Sequence, residues 1–316
     1  MTAKRRTIRF ISNPNAGRGG AARAAEVTWF CELLRGRGFE VEAVSTRAPH
    51  DATRLAAEAT REGCGEVVVS GGDGTINEAL QGLVGTRTRL GIWPAGTANV
   101  LARELQLPFD AEGAADVIAR GETRRIYAGC ATDEATEVRR YFFLMAGIGL
   151  DASVVERVRP RLKRRVGEGA FWVSGLGHLV RWQPVPFHLE IGGGTYPATF
   201  AAVGKAAHYG GEISVTPRAR LDEPEFEICV VNSTSRLRFL RLLAHALRRD
   251  GVRRETAGIT FVRTTRARAT GDALVQVDGE LIGRLPMTFE IISEPIELIA
   301  PRVKERDARL GYQHLR

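Results

Sequence analysis

The feature that most constrains this chain is an alternation near its N-terminus. Four strand-like runs are each followed by a small-residue loop and then by a helical stripe. Ile8 to Ser12 reads as a strand, and Val27, Phe30, Cys31 and Leu34 follow at i, i+3, i+4 and i+7. Phe39 to Thr46, Val67 to Ser70 and Leu90 to Trp93 are the next three runs. Their stripes are Ala52/Leu55/Ala56/Ala59, Ile76/Ala79/Leu80/Leu83 and Ala98/Leu101/Leu105. Repeated βα units imply a parallel sheet with helices on its faces. Parallel strands end on one edge, so the loops Asn13 to Gly17, Thr46 to Pro49, Gly71 to Thr75 and Pro94 to Asn99 must gather there. Open α/β sheets bind ligands at that edge. The loops are rich in Gly, Asn, Thr and Asp, as a phosphate cradle requires.

From about Arg124 the pattern changes. Turn signals at Gly192 to Gly194, Gly210-Gly211 and Asp278-Gly279 separate β-branched and aromatic runs at Phe187 to Ile191, Phe226 to Val231, Ile259 to Val262 and Met287 to Ile292. These predict an antiparallel β-rich second domain, interrupted by helical segments around Ala152 to Arg181 and Arg236 to Arg249. The expected domains are 1–125 and 126–295, with 296–316 packing back on the first. A length of 316 residues and 44% hydrophobic residues are enough for two packed cores.

The net charge of +8 points to an acidic partner, whether nucleotide phosphate, anionic lipid or nucleic acid. Nucleic acid is disfavoured, because no aromatic-interleaved or recognised binding motif accompanies the charge. Cys31, Cys64, Cys130 and Cys229 lack metal-ligand spacing and read as small core residues of a cytoplasmic protein. His178, His188, His208 and His245 likewise show no ligand spacing. No apolar run is long enough to span a bilayer, so membrane contact is expected to be peripheral.

The strongest motif is Val67-Val-Val-Ser-Gly-Gly-Asp-Gly-Thr-Ile-Asn-Glu78. Adjacent glycines let backbone approach a phosphate, and the following helix offers free amides and a positive dipole end. Asp73 suits an anion site if Mg²⁺ lies between carboxylate and phosphate. The alternative is a tight turn with Asp73 or Thr75 as a helix cap.

Together with Ser12 to Gly17, Pro94 to Asn99, Gly147-Ile-Gly-Leu-Asp151, Tyr209-Gly-Gly211, Pro217-Arg-Ala219 and Val277-Asp-Gly-Glu280, this motif resembles the diacylglycerol-kinase catalytic-domain family of soluble lipid kinases. The resemblance covers nearly the whole chain. It implies an NAD-kinase-like α/β nucleotide domain and a β-sandwich second domain, with the acceptor lipid entering from the second-domain side. It implies ATP and Mg²⁺ as cofactors. The nucleotide site would comprise Asn13, Pro14, Asn15, Ala16, Gly17, Thr46, Gly71, Gly72, Asp73, Gly74, Thr75, Ile76, Asn77, Glu78, Gly96, Thr97 and Asn99.

The resemblance further implies a second Mg²⁺ in the loop Ala219-Arg-Leu-Asp-Glu-Pro-Glu-Phe226. It would be held by the Glu223 carboxylate and the carbonyls of Arg220 and Glu225, although Pro224 replaces the family's glycine. The bland alternative is a solvated acidic loop. Ala16, Arg18 and Val100 also stand where family members carry other residues.

The implied activity is transfer of the γ-phosphoryl group of ATP to a hydroxyl of diacylglycerol or a related lipid. Asp73, Asp278 and Glu280 are the candidate catalytic carboxylates. Asp278 and Glu280 lie two apart and would share one face in a strand, one serving as base and the other orienting it, with Glu280 favoured as base. By periodicity Asp278-Gly279 is also a hairpin turn. The rival activities are an NAD-kinase-type small-molecule kinase and a non-catalytic lipid-binding protein on the same fold. The basic run Arg157 to Arg165 and the helix Arg236 to Arg249, striped by Leu237, Leu240, Leu243 and Leu247, are read as docking on anionic headgroups or as packed helices with solvated arginines. The expected location is cytoplasmic and peripherally membrane-associated. A homodimer is compatible with this reading.

Overall fold

The computed structural model describes residues 6–17, 20–157, 182–208, 213–247, 252 and 258–302. Arg18, residues 158–165 of the basic run, His178, most of the expected helical segment 152–181, the Tyr209-Gly-Gly211 motif and the chain beyond 302 lie outside them.

The alternation builds a Rossmann-like layer. Strands β1 (Arg6–Ser12), β2 (Phe39–Ser45), β3 (Glu66–Gly71) and β4 (Arg89–Pro94) pair in parallel, in the order β2-β1-β3-β4. Every residue of β3 is buried, as a central strand with helices on both faces requires. Helix α1 (Gly20–Gly36) inserts Phe30, Cys31 and Leu34 into one core, where Phe30 stacks on Trp93 at 4.2 Å between ring centroids. Helices α2 (Asp51–Arg61) and α3 (Asp73–Leu83) bury the stripes that their sequences mark, and the short α4 (Val100–Glu104) buries Leu101. Helix α5 (Ala111–Arg120) carries an Asp110 cap, whose carboxylate accepts from the Gly113 amide.

Two further strands complete this sheet. β5 (Thr123–Ile126) carries the chain out of the first domain, and β18 (Ile296–Ile299) brings it back. β18 lies between β4 and β5, parallel to the first and antiparallel to the second. The second domain is therefore anchored by two adjacent strands of the first.

That domain is a β-sandwich of two six-stranded antiparallel sheets, ordered β10-β9-β14-β17-β6-β7 and β13-β12-β11-β8-β15-β16. The first contains β6 (Gly129–Asp133), β7 (Arg139–Phe142), β9 (Phe187–Ile191), β10 (Gly194–Ala198), β14 (Arg266–Gly271) and β17 (Met287–Ile291). The second contains β8 (Met145–Gly149), β11 (Phe200–Gly204), β12 (Phe226–Val231), β13 (Ile259–Thr264), β15 (Leu274–Val277) and β16 (Glu280–Arg284). Phe142, Phe187, Phe226 and Phe289 fill the space between them.

Among the described residues, two helices flank the sandwich, α6 (Leu150–Arg157) and α7 (Arg236–Ala246). The leucine stripe of α7 is divided by the packing. Phe239, Leu242 and Ala246 pack against Phe200 and Val231 with Leu243 half-buried beside them, while Leu237, Leu240 and Leu247 face outward. Phe239 anchors the buried face, meeting Trp182 and Phe200 edge to face. Among the described residues, no helix is long and apolar enough to cross a membrane.

Candidate active site

At the carboxyl edge of the first sheet the loops are stitched to one another. The Thr46 amide donates to the Ser12 carbonyl and the Asn13 amide to that of Ser70, each at 2.9 Å. Asn13 donates through Nδ2 to Thr75 Oγ1 at 2.9 Å and accepts the Asn15 amide at 2.9 Å, an Asx turn that shapes the first loop. Gly72 and Gly96 bring two loops into backbone contact, for a Cβ built on Gly72 would sit 3.2 Å from the Gly96 Cα. On Gly96 the same atom would also meet Asn99 Oδ1, at 2.8 Å. Asn99 takes the left-handed conformation, φ 48°, and clamps Gly96 through both side-chain atoms, at 2.8 and 2.7 Å.

Asp73 begins α3, and its two carboxylate oxygens accept the amides of Val100 and Leu101, each at 3.1 Å. It caps a neighbouring helix rather than its own, joining the two glycine loops at their bases. Thr97, Gly74, Pro14, Asn15 and Gly17 remain exposed at the edge, while Ala16 is buried. Glu78 is half-buried and Ile76 packs in the core.

The structure divides Asn77 from the rest of the expected nucleotide set. Its Nδ2 donates to Asp278 Oδ2 at 2.8 Å and to the Tyr141 carbonyl at 3.1 Å. Gln81, one turn on, donates to Asn77 Oδ1 and the Tyr141 carbonyl and accepts the Tyr141 amide. Helix α3 is thereby bolted to β7 and to the turn between β15 and β16.

Asp278 and Gly279 form the two-residue turn of the β15–β16 hairpin, with φ 46° and 81°. The expectation that Asp278 and Glu280 share a strand face is therefore corrected, because they straddle a turn and diverge. Asp278 turns inward. Its oxygens accept the amides of Phe143, Leu144 and Met145 at 2.9–3.0 Å besides Asn77. Burial raises its carboxyl to about 6, with the three amides and Asn77 pulling in the opposite direction. Gln276, fully buried, accepts the Gly279 amide at 2.7 Å and donates to Asp151, whose carboxyl burial also raises to about 6. Gly147 has no room for a side chain, because the Asp151 carboxyl and the Gln276 amide occupy the space.

Glu280 turns outward, about half exposed, and pairs with Arg140. Both line a cleft of about 440 Å³ that also touches His50, Arg139 and Leu281. His50 belongs to the first domain's loop before α2, so the cleft lies where the two domains face each other.

The expected metal ligands of the acidic loop do converge, but on a side chain. The carbonyls of Arg220, Glu223 and Glu225 all accept from Nζ of Lys205, whose residue is wholly buried. The Glu223 carboxylate is paired with Arg263 and Arg220 instead. These residues do not fit a Mg²⁺ ion, which corrects the assignment of Arg220, Glu223 and Glu225 to metal.

Sequence reasoning passed over Lys205, Gln81, Gln276 and Arg23. Arg23 is buried over the Trp93 ring at 4.7 Å and donates to Ser70 Oγ beneath the glycine loop. It also missed Glu104, whose Oε1 accepts the His208 amide at 2.9 Å and lies 2.8 Å from His208 Nδ1. Only Gln81 left a signal, standing i+4 from Asn77 on one helix face.

The model of the diacylglycerol kinase catalytic domain matches residues 7–131, and that of the YegS C-terminal NAD kinase β-sandwich-like domain matches 145–300. A diacylglycerol kinase of Mycobacterium tuberculosis is 31% identical over 296 residues, spanning 92% of this chain and 94% of the relative. One from Staphylococcus aureus is 28% identical over 315 residues, spanning 98% of each. A crystal structure of a diacylglycerol kinase from Bacillus anthracis superposes with a TM-score of 0.72 at 22% identity, covering 95% of this chain and 98% of that one. A chain that matches both domain models, in order and over almost its full length, belongs to the diacylglycerol kinase family.

Proposed function

We propose that this chain transfers the γ-phosphoryl group of ATP to a hydroxyl of diacylglycerol or a closely related lipid. The observation that carries the reading is the backbone contact of the Gly72 and Gly96 loops at the sheet edge; Glu280 and Arg140 line a cleft that His50 of the first domain also touches. Phosphoryl transfer requires chiefly positioning and charge stabilisation. The exposed loop backbone and Thr97 hold the nucleotide phosphates, and the first turn of α3 aims its amides at them. Mg²⁺ arriving with the nucleotide would neutralise charge on the transferring group. With both oxygens accepting α4 amides, Asp73 would act on that ion through the waters that Mg²⁺ retains. Its other task is to fix α4 against α3.

Glu280 accepts the proton of the lipid hydroxyl. Asp278, with four donors on its carboxylate, is a positioning residue that fixes the hairpin and hence Glu280. The acceptor approaches from the sandwich side. Helix α7 presents Leu237 and Leu240 beside Arg236 and Arg241, which suits an anionic bilayer surface, at about 1 kcal/mol for each basic residue near the membrane. No observation favours an NAD acceptor or a non-catalytic role.

The test is to incubate the purified chain with labelled ATP, Mg²⁺ and vesicles carrying diacylglycerol, monoacylglycerol, a sphingoid base or phosphatidylglycerol, with NAD as a control acceptor. A phosphorylated lipid identified by mass spectrometry is the expected product. Transfer to NAD alone, or to none of them, would reject the reading.

A further inference from the structure

The acidic loop between Ala219 and Phe226 has the composition of a cation site, yet both kinds of ligand it would offer a metal are in use. Its three converging carbonyls, those of Arg220, Glu223 and Glu225, accept from Lys205 Nζ, at 2.8 Å for Arg220 and 3.3 Å for Glu225. An ammonium has three N–H donors, so three carbonyls match it one for one. The Glu223 and Glu225 carboxylates both turn to Arg263 on β13.

Lys205 itself cannot swing aside easily. It follows directly on β11 and its residue has no exposed surface. Its own amide and that of Ala206 donate to the Leu144 carbonyl, at 2.8 and 3.1 Å. Leu144 lies in the turn whose amides hold Asp278. The loop is tied to the first domain as well, through the Tyr127 amide on the Leu221 carbonyl at 2.9 Å.

A divalent ion needs near-octahedral oxygen ligation at about 2.0–2.1 Å for Mg²⁺. It cannot share three carbonyls with an ammonium already bonded to them. We propose that Lys205 Nζ is the resident cation of this loop, built into the chain in place of an exchangeable divalent ion. The loop, and through Leu144 the Asp278 turn, is then organised without metal. In a relative lacking this lysine, the same carbonyls are open to a metal ion.

The proposal is tested on the nucleotide-free full-length chain without reference to activity, so failure of the lipid-kinase reading and failure of this one are distinguishable. Wild-type protein should unfold at the same temperature, within about 1 °C, in chelator and in millimolar Mg²⁺ or Mn²⁺. Mn²⁺ titration followed by electron paramagnetic resonance should find no binding site that Glu223→Gln removes. Lys205→Ala leaves three converging carbonyls without the donor they share and should unfold at least about 5 °C lower in chelator. Mg²⁺ or Mn²⁺ should restore much of that loss. Lys205→Met, which fills the volume without charge, should lose similar stability and recover none of it with metal. A Mn²⁺ site in the wild type that Glu223→Gln abolishes overturns the proposal. So does a Lys205→Ala protein as stable as wild type, or one that no divalent ion stabilises. If Lys205→Ala does not fold, the wild-type titration and Lys205→Met still decide the question.

Discussion

The two domains use polar residues in opposite ways. At the first domain's sheet edge the side chains of the expected nucleotide set turn inward. Asn13 shapes its loop, Asn99 clamps Gly96, Asp73 caps α4 and Asn77 reaches across to Asp278. What they leave exposed at the edge is Thr97 and loop backbone such as Gly17 and Gly74. In the second domain the carboxylates are sorted by enclosure. Asp278 is held by four donors and Glu223 by arginines, while Glu280 stays half exposed beside Arg140. Backbone amides suit a phosphate chain that every turnover must present identically. A half-exposed carboxylate suits a proton that must come and go.

Breaking the contrast should have graded consequences. The largest belongs to Glu280→Gln, which removes the proton acceptor and leaves a surface amide. Turnover should fall about 10²–10⁴-fold with ATP affinity and thermal stability retained. Near-normal turnover would place the base elsewhere and erase the distinction between Glu280 and its covered neighbours.

Next comes the first domain's sheet edge. Gly96→Ala pushes a methyl group against the Gly72 backbone and forces the loops apart. A displacement of this kind should cost about 10²-fold in kcat/KM for ATP. An unaffected kcat/KM would show that loop contact does not position the nucleotide.

Asp278→Asn tests enclosure itself. Asparagine tolerates the turn's positive φ, so a pure turn role makes the change nearly silent. The structure instead puts an amide group where backbone N–H donors need an acceptor. Stability should drop by about 2–3 kcal/mol in urea unfolding, with a parallel loss of turnover.

The smallest effect concerns Asp151, two hydrogen bonds away from the hairpin. Its folded value, about 6, lies above the ordinary 3.8, so the native state holds the proton more tightly than the unfolded chain does. Its contribution to stability is fully present below about pH 4 and is lost as pH rises through about 6. Asp151→Asn cannot titrate and should flatten the fall in Tm across that window. An unchanged pH profile would mean that Asp151 titrates alike in both states.

The architecture was readable where local patterns carry it. β9 and β12 coincide with their apolar runs, and all four βα stripes face a core, with Val27 and Ala98 half-buried. Strand β18 could be expected to return to the first domain, but its place between β4 and β5 could not, because pairing partners as distant as Leu298 and Leu90, or Ile296 and Ile126, leave no local periodicity. The sequence left α7 open between lipid docking and packing for a related reason. Leucine spacing marked a stripe, but contact of Phe239 with Trp182 and Phe200 determined which face packs on the sandwich.

The site divides along the same line. Short-range sterics and apolar burial act within a turn or a strand, so the order of residues was enough to establish the parallel sheet, the gathering of the four loops on one edge and the family resemblance. Compensation of charge is a contact between distant parts of the chain, and only packing makes such contacts. The sequence counts Asp73, Asp278, Glu223 and Glu280 alike as acids. Folding brings the amides of α4 to the first, the β7–β8 turn and Asn77 to the second, and Arg263 to the third. It sets Lys205 among the carbonyls where a metal was expected and leaves the fourth carboxylate on the cleft, because burying a charge is tolerable only where donors already stand to meet it.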